Sequence, residues 1–234
     1  MKESMKKIIY LIMLVVICIS CDNDIDNYDA PNGGIRGTVY DAQTNKPIPL
    51  PVAGSSGIMV NLYELNTNAT KSIDFRAKQD GTFENSRVFN GEYRVVVNGP
   101  FTDKCESNVT IKGQTQLDLT ATPYARIGIQ ATVDASNQLS VTYTATPSAP
   151  SYTINEISVM WNFAKGVDAN SSNYASRTAQ TEANGTCIFD LPNDNAFKEN
   201  IHKIKANQNR IYVRVAAHTS NGVNYSEIVE LTVN

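Results

Sequence analysis

The sequence specifies an all-β protein: two tandem β-sandwich domains behind an export leader. Three observations carry that reading. Segment after segment alternates apolar and polar residues with a period of two, as half-buried strands do. Turn signals such as Asp80-Gly81, Asn90-Gly91 and Ser220-Asn221-Gly222 punctuate these segments. The first stretch, MKESMKKIIYLIMLVVICISCDNDID, is of another kind, with Lys2, Lys6 and Lys7 ahead of an unbroken apolar run from Ile8 to Ile19.

A basic start followed by an apolar run within about 7–15 residues is the pattern of a secretory signal. The run is shorter than the roughly 20 residues needed to cross a bilayer. Ser20-Cys21 then resembles the processing site of bacterial lipoproteins, with Cys18 standing where that family usually has Leu. The resemblance implies a lipoprotein signal peptide over residues 1–20, a lipidated flexible linker over 21–32, and Cys21 as the lipid anchor. Asp22, Asp24 and Asp26 resemble the export signal that carries Bacteroidetes lipoproteins to the outer face of the outer membrane. They do not begin a calcium loop, because its sixth position would be Asn27 instead of Gly and its twelfth Gly33 instead of Glu.

A length of 234 residues accommodates two small domains. The formal charge is −3; removing the leader's +2 leaves −5 on the mature chain. An acidic chain without a basic block has no electrostatic footprint for nucleic acid. Of four cysteines, only Cys105 and Cys187 remain once Cys18 and Cys21 are set aside. They fall in different domains and form no C-x-x-C pair, so they are expected as partly buried thiols without a redox or zinc role.

The first domain is expected over residues 33–121. A strand from Gly34 to Asp41 leads into the turn Thr44 to Pro47, and a second strand places Ile58, Val60 and Leu62 on one face. Ser72 to Arg76 follows, then Asp80-Gly81 before Phe83, and Asn90-Gly91 before Glu92 to Asn98. The two glycines are expected at positive φ in tight hairpin connections. Val109 with Ile111, and Leu117 with Leu119, close the unit. Gly37 to Asp41, Lys46-Pro47-Ile48, Val60 to Leu62, Asp80 to Phe83 and Gly91 to Tyr93 together resemble the carboxypeptidase-regulatory-like, or transthyretin-like, β-sandwich. That resemblance implies a structural or spacer module. Leu50 to Gly57 is longer than the family's first connection and reads as a surface excursion or a binding loop.

The second domain is expected over 122–234. Ile127, Ile129, Ala131 and Val133 alternate, as do Leu139, Val141, Tyr143 and Ala145. Ile157, Val159, Trp161 and Phe163 share a parity that makes Trp161 a core residue. A polar stretch holding Tyr174 precedes a strand around Thr186 to Leu191. Phe197, Ile201 and Ile204 are spaced for a short helix. Ile211 to Ala217 and Tyr225 to Val233 form the last hairpin. Seven strands with Trp161 on the third resemble an immunoglobulin-like or fibronectin type III sandwich.

Neither His202 nor His218 belongs to a metal or protease motif, and Gly54 to Gly57 lacks the spacing of a nucleophile elbow. His218 reads as an ordinary exposed residue rather than a general base. No cofactor, no metal and no catalytic set is expected. Oligosaccharides are met by aromatic faces flanked by amides, which singles out Tyr152 in the loop between the second and third strands, and Asn221 and Asn224 in the last hairpin loop. Those loops share one end of such a sandwich.

Taken whole, the leader with Cys21, the Gly33 to Asp41 opening and the immunoglobulin-like half resemble two-domain Bacteroidetes outer-membrane lipoproteins from glycan-import loci. The resemblance implies a non-enzymatic, lipid-anchored protein of the cell exterior, accessory to oligosaccharide capture beside a starch-utilisation-type (SusC/SusD-type) transporter complex. A structural or assembly module docking on partner proteins is the alternative it leaves open.

Overall fold

The alternation becomes sixteen strands in the computed structural model, which describes residues 29–234. The leader, Cys21 and the acidic tract behind it lie outside the described residues. Asn32–Asn234 form one unit of two β-sandwiches.

In the first sandwich, β1 (Gly33–Asp41) pairs antiparallel with β4 (Thr82–Val88) and parallel with the short β7 (Gln114–Gln116) and β8 (Leu119–Ala121). The facing sheet runs β3 (Ile73–Arg76), β2 (Met59–Glu64), β5 (Gly91–Val97), β6 (Cys105–Ile111). Ile35, Val39, Leu62, Phe83, Tyr93 and Val95 fill the space between them. Gly37 is required by close approach, since a Cβ there would overlap the Leu117 carbonyl oxygen. Gly81 takes the expected positive φ, +84°. Gly91 does not; the left-handed glycine at that end is Gly113, at +64°. The Asn90 side chain holds the Asn90-Gly91 turn instead, accepting from the Gly113 N–H at 2.9 Å.

The second sandwich sets β9 (Ala125–Val133), β10 (Gln138–Pro147) and β13 (Asn184–Asp190) against β11 (Ile154–Asn162), β12 (Ser176–Gln180), β14 (Arg210–Thr219), β15 (Val223–Tyr225) and β16 (Val229–Thr232). β15 and β16 share one side of β14. Ser226 separates them, its N–H donating to the Val215 carbonyl and its hydroxyl accepting from the Val215 N–H. β12 is the strand that periodicity misses, because Ser176–Gln180 is an edge segment without apolar alternation. Trp161 is fully buried, as its parity predicts. Its indole N–H donates to Asp194 at 3.3 Å, and the other Asp194 oxygen caps helix α1 (Asn195–Ala206) by accepting from the Ala196 N–H at 2.8 Å. Phe197 and Ile204 are the residues by which α1 packs into the core. Cys105 and Cys187 are free and buried, and burial pushes the Cys105 thiol up to about 11.

Candidate functional site at the domain junction

Two surfaces that neighbouring residues do not foretell meet at the junction. The Leu50 to Gly57 insertion is not a free loop but packs against the second domain. The Val52 N–H and Ser56 hydroxyl donate to one oxygen of Asp168 at 2.9 and 2.7 Å. The other oxygen accepts from the Asn170 N–H and the Asn173 amide, each at 2.9 Å. Asp168 is fully buried, and four donors replace the water it has lost.

Arg214, on β14, makes the complementary contact. Its guanidinium donates to the carbonyls of Ser226 and Val167 in its own domain at 2.9 and 2.8 Å. It also reaches Leu50 and Gln79 in the first domain at 2.8 and 3.3 Å. It lies 4.6 Å from the centre of the Tyr225 ring. Burial lowers its pKa to about 10, against the raising influence of Tyr225 and Asp168, so the side chain is cationic at neutral pH. The planar fork of five N–H donors is what lets one side chain satisfy carbonyls on both domains.

Asn224 belongs to this fixed part. Expected as a ligand amide, it is 1% exposed and both ends of its side chain are used, accepting from the Ala125 N–H at 3.0 Å and donating to the Pro100 carbonyl at 3.1 Å. Hairpin spacing puts it in a loop, whereas the first sandwich closes over it. Arg126 clamps Asp41 through two bonds of 2.6 and 2.7 Å and donates to Ser148 at 2.9 Å. Burial would raise the Asp41 carboxyl, but hydrogen bonds from Arg126, Gln43 and Thr44, with the Arg126 charge, hold it below its ordinary value.

Beside these contacts the junction opens into a cleft of about 420 Å³ between the Thr44–Pro49 turn and β9, lined by Asp41, Arg126 and Asn224 together with Lys46, Thr144 and Glu227. That volume lies within the range of small-molecule sites, about 300–1,000 Å³. Tyr124, next in the chain to the cleft residue Pro123, packs edge-to-face on Tyr152 with ring centroids 4.9 Å apart. The Ser220 N–H donates to the Thr153 carbonyl at 3.0 Å, so the loop bearing Asn221 meets the loop bearing Tyr152, at the end facing the first domain. Tyr152 is half-buried and Asn221 is exposed. Of the three amide and aromatic candidates, two are therefore brought together and Asn224 is withdrawn. The Tyr124–Tyr152 pair and the Asn221 loop together offer aromatic edges, an amide and hydroxyls, a set suited to a neutral polyhydroxylated ligand.

His218 lies elsewhere, on the outer face of the sheet containing β11 and β14, and is half-buried rather than freely exposed. Its Nε2 is 2.9 Å from the Ser158 hydroxyl and 3.6 Å from Glu156, and Arg177 bonds both Ser158 and Glu156. An acyl-transfer triad needs the serine and the carboxylate on opposite imidazole nitrogens. Here both stand on the same nitrogen, and Ser158 is fully buried. Burial lowers the His218 pKa, Glu156 opposes this and Arg177 adds to it. Among the described residues no group of three His, Cys, Asp or Glu side chains is placed to hold a metal ion.

Comparison with known proteins gives the same architecture. The family profile described as "Protein of unknown function (DUF3823) N-terminal domain" matches residues 34–122, and "Domain of unknown function (DUF3823_C)" matches residues 125–230. A DUF3823 family protein from Parabacteroides merdae ATCC 43184 is similar in structure, with a TM-score of 0.72 and 23% identity over 87% of this chain and 100% of that one. One from Bacteroides uniformis ATCC 8492 has a TM-score of 0.67 and 20% identity over the same shares. A "putative carbohydrate binding protein" from Bacteroides uniformis ATCC 8492 has a TM-score of 0.63 and 17% identity, again over 87% and 100%. No curated protein matches the sequence. At these identities the likeness is one of fold. With both halves matched in order, and the two matches adjoining where the sandwiches meet, the chain belongs to the two-domain DUF3823 family.

Proposed function

We propose that this protein is a non-enzymatic, lipid-anchored accessory of glycan uptake at the outer-membrane surface, which contacts an oligosaccharide at the rim of its domain junction. The observation that carries the reading is the Tyr124–Tyr152 pair, which stands beside the loop bearing Asn221 and directly follows the cleft residue Pro123 in the chain. The relative named for carbohydrate binding shares this fold and supports the ligand class. The leader supports the anchor at Cys21, the acidic residues behind it support an outward-facing location, and the resemblance of the whole chain supports a place beside a SusC/SusD-type transporter complex.

The full chain in detergent, screened by glycan array and calorimetry against neutral and acidic oligosaccharides, tests the ligand. Saturable binding that weakens about tenfold or more with Tyr152→Ala supports the rim. Binding unchanged by that substitution rejects the rim, and no binding across the panel rejects the glycan reading. The last outcome favours a structural or assembly module docking on partner proteins, for which the Arg214 and Asp168 contacts provide a rigid two-domain body. For the anchor, Cys21→Ala abolishes membrane fractionation. Asp22, Asp24 and Asp26 changed together to Ala lower protease accessibility on whole cells.

A further inference from the structure

Phe89 and Ile188 are the large apolar side chains that the described residues leave exposed, at 47% and 58%. Ile188 stands among hydroxyls on the outer face of β13, opposite Ser140 and beside Thr186. Phe89 is placed differently, at the point where the chain enters the first sandwich. Gly33 pairs with Val88, and the Asn90 amide donates to the Asn32 side chain at 2.9 Å. Asn90 also accepts from the Gly113 N–H at 2.9 Å, which brings Lys112 to the same end. Arg87 and Lys112 are exposed and have no ion-pair partner among the described residues. Glu92 and Glu64 accept from neutral donors, the Asn66 amide at 2.6 Å and the Thr67 hydroxyl at 3.1 Å; they keep their charge, and neither pairs with Arg87 or Lys112.

An apolar ring with two unpaired cations suits the boundary between lipid and water, where Phe is buried at the edge of the acyl chains and Lys or Arg meets anionic headgroups. We propose that this end of the first sandwich is a membrane-contact surface, with Phe89 seated at the headgroup–acyl boundary of the bilayer that holds Cys21 and with Arg87 and Lys112 on anionic lipid. The inference rests on the anchored reading above. Ten residues separate Cys21 from Asn32 in the sequence, a reach of at most about 40 Å that starts beside Phe89. β1 carries the chain about 30 Å from this end to Asp41 at the junction, so the contact turns the Tyr124–Tyr152 rim away from the bilayer.

The test uses Phe89→Trp in the full chain, reconstituted into vesicles of phosphatidylethanolamine and phosphatidylglycerol carrying brominated acyl chains. Trp161, the single native tryptophan, is fully buried, and its shielded emission reports that the variant is folded. The expected result is loss of most of the added tryptophan emission to brominated lipid, with little quenching by aqueous iodide. Iodide quenching without loss to brominated lipid overturns the proposal. Mass spectrometry of the same preparation reads the anchor separately. Absence of lipid on Cys21 overturns the anchored reading, whereas lipid on Cys21 with the introduced indole open to iodide overturns only the contact surface. Arg87→Glu with Lys112→Glu, in the Phe89→Trp chain, reduces the quenching by brominated lipid if the cations act as proposed, and unchanged quenching removes them from the surface.

Discussion

The junction has a dry half and a wet half, built from the same two domains. In the dry half Arg214, Asp168 and Asn224 are at most 1% exposed, and their polar atoms bond backbone and side-chain groups across the boundary. In the wet half Tyr152 is half-buried and Asn221 exposed, on loops that touch each other. Buried polar groups are costly to strand, so the dry half fixes one arrangement of the domains. The wet half makes few demands on stability and is the part of the boundary with surface to give to a ligand. Substitutions in the two halves should therefore separate folding from binding.

The largest effect is expected at Arg214. Arg214→Met keeps the stem but leaves the Ser226, Val167 and Leu50 carbonyls without their donor, the Gln79 carbonyl keeping the Leu50 N–H, at a cost of about 3–5 kcal/mol in urea unfolding. Arg214→Lys recovers little of this, since a point ammonium does not span carbonyls on two domains. A loss below about 1 kcal/mol for Arg214→Met would mean that the two domains are held by other contacts. Asp168→Ala strands the Val52 N–H and Ser56 hydroxyl and is expected to cost about 2–3 kcal/mol. It also frees the insertion, so limited proteolysis cuts between Ala53 and Gly57 in the variant and not in the parent.

Two acid-side losses sharpen the comparison further, one at the junction and one away from it. His218 has a lowered pKa in the folded chain, so the unfolded chain binds more protons below the ordinary value of 6.5. Stability is complete above that value and declines as pH falls through the folded value; His218→Gln flattens this segment of the curve. Asp41 is also lowered, from 3.8, so its contribution is present above 3.8 and lost as pH falls through its folded value. Asp41→Asn removes this more acidic segment while leaving the His218 segment in place. Denaturant midpoints measured across pH with both variants separate the two, and a curve unchanged by Asp41→Asn would show that the Arg126 clamp contributes nothing.

Both sandwiches are legible in the sequence because two-residue alternation is a local signal. The parity of Val159, Trp161 and Phe163 places Trp161 in the core, and the spacing of Phe197, Ile201 and Ile204 marks α1. What escapes is non-local. Val52 and Asp168 are 116 positions apart, Leu50 and Arg214 are 164 apart, and no local pattern pairs them. The insertion is visible as an excess of residues, but its docking is not. One signal for Arg214 exists: a lone cation in the apolar strand Ile211 to Ala217, at a parity opposite to Val213 and Val215, needs either solvent or a second layer. Asn224 escapes for the same reason, because a hairpin residue is exposed only when no other domain covers it.

The smallest effect on stability is expected at Tyr152, and it is the most informative about function. Its ring packs on Tyr124 and is half-buried, so Tyr152→Ala is expected to cost no more than about 1 kcal/mol in urea unfolding. On the proposed function, oligosaccharide affinity should nevertheless fall about tenfold or more, since the sugar face would lose its aromatic partner. Tyr152→Phe separates the ring from its hydroxyl: retained affinity assigns the contact to the apolar ring, and a loss equal to that of Ala assigns it to the hydroxyl. Arg214→Met, measured where it remains folded, should then weaken binding only to the extent that it lets the domains move. If Arg214→Met abolishes binding while Tyr152→Ala leaves it intact, the division is inverted and the ligand is held by the fixed half of the junction.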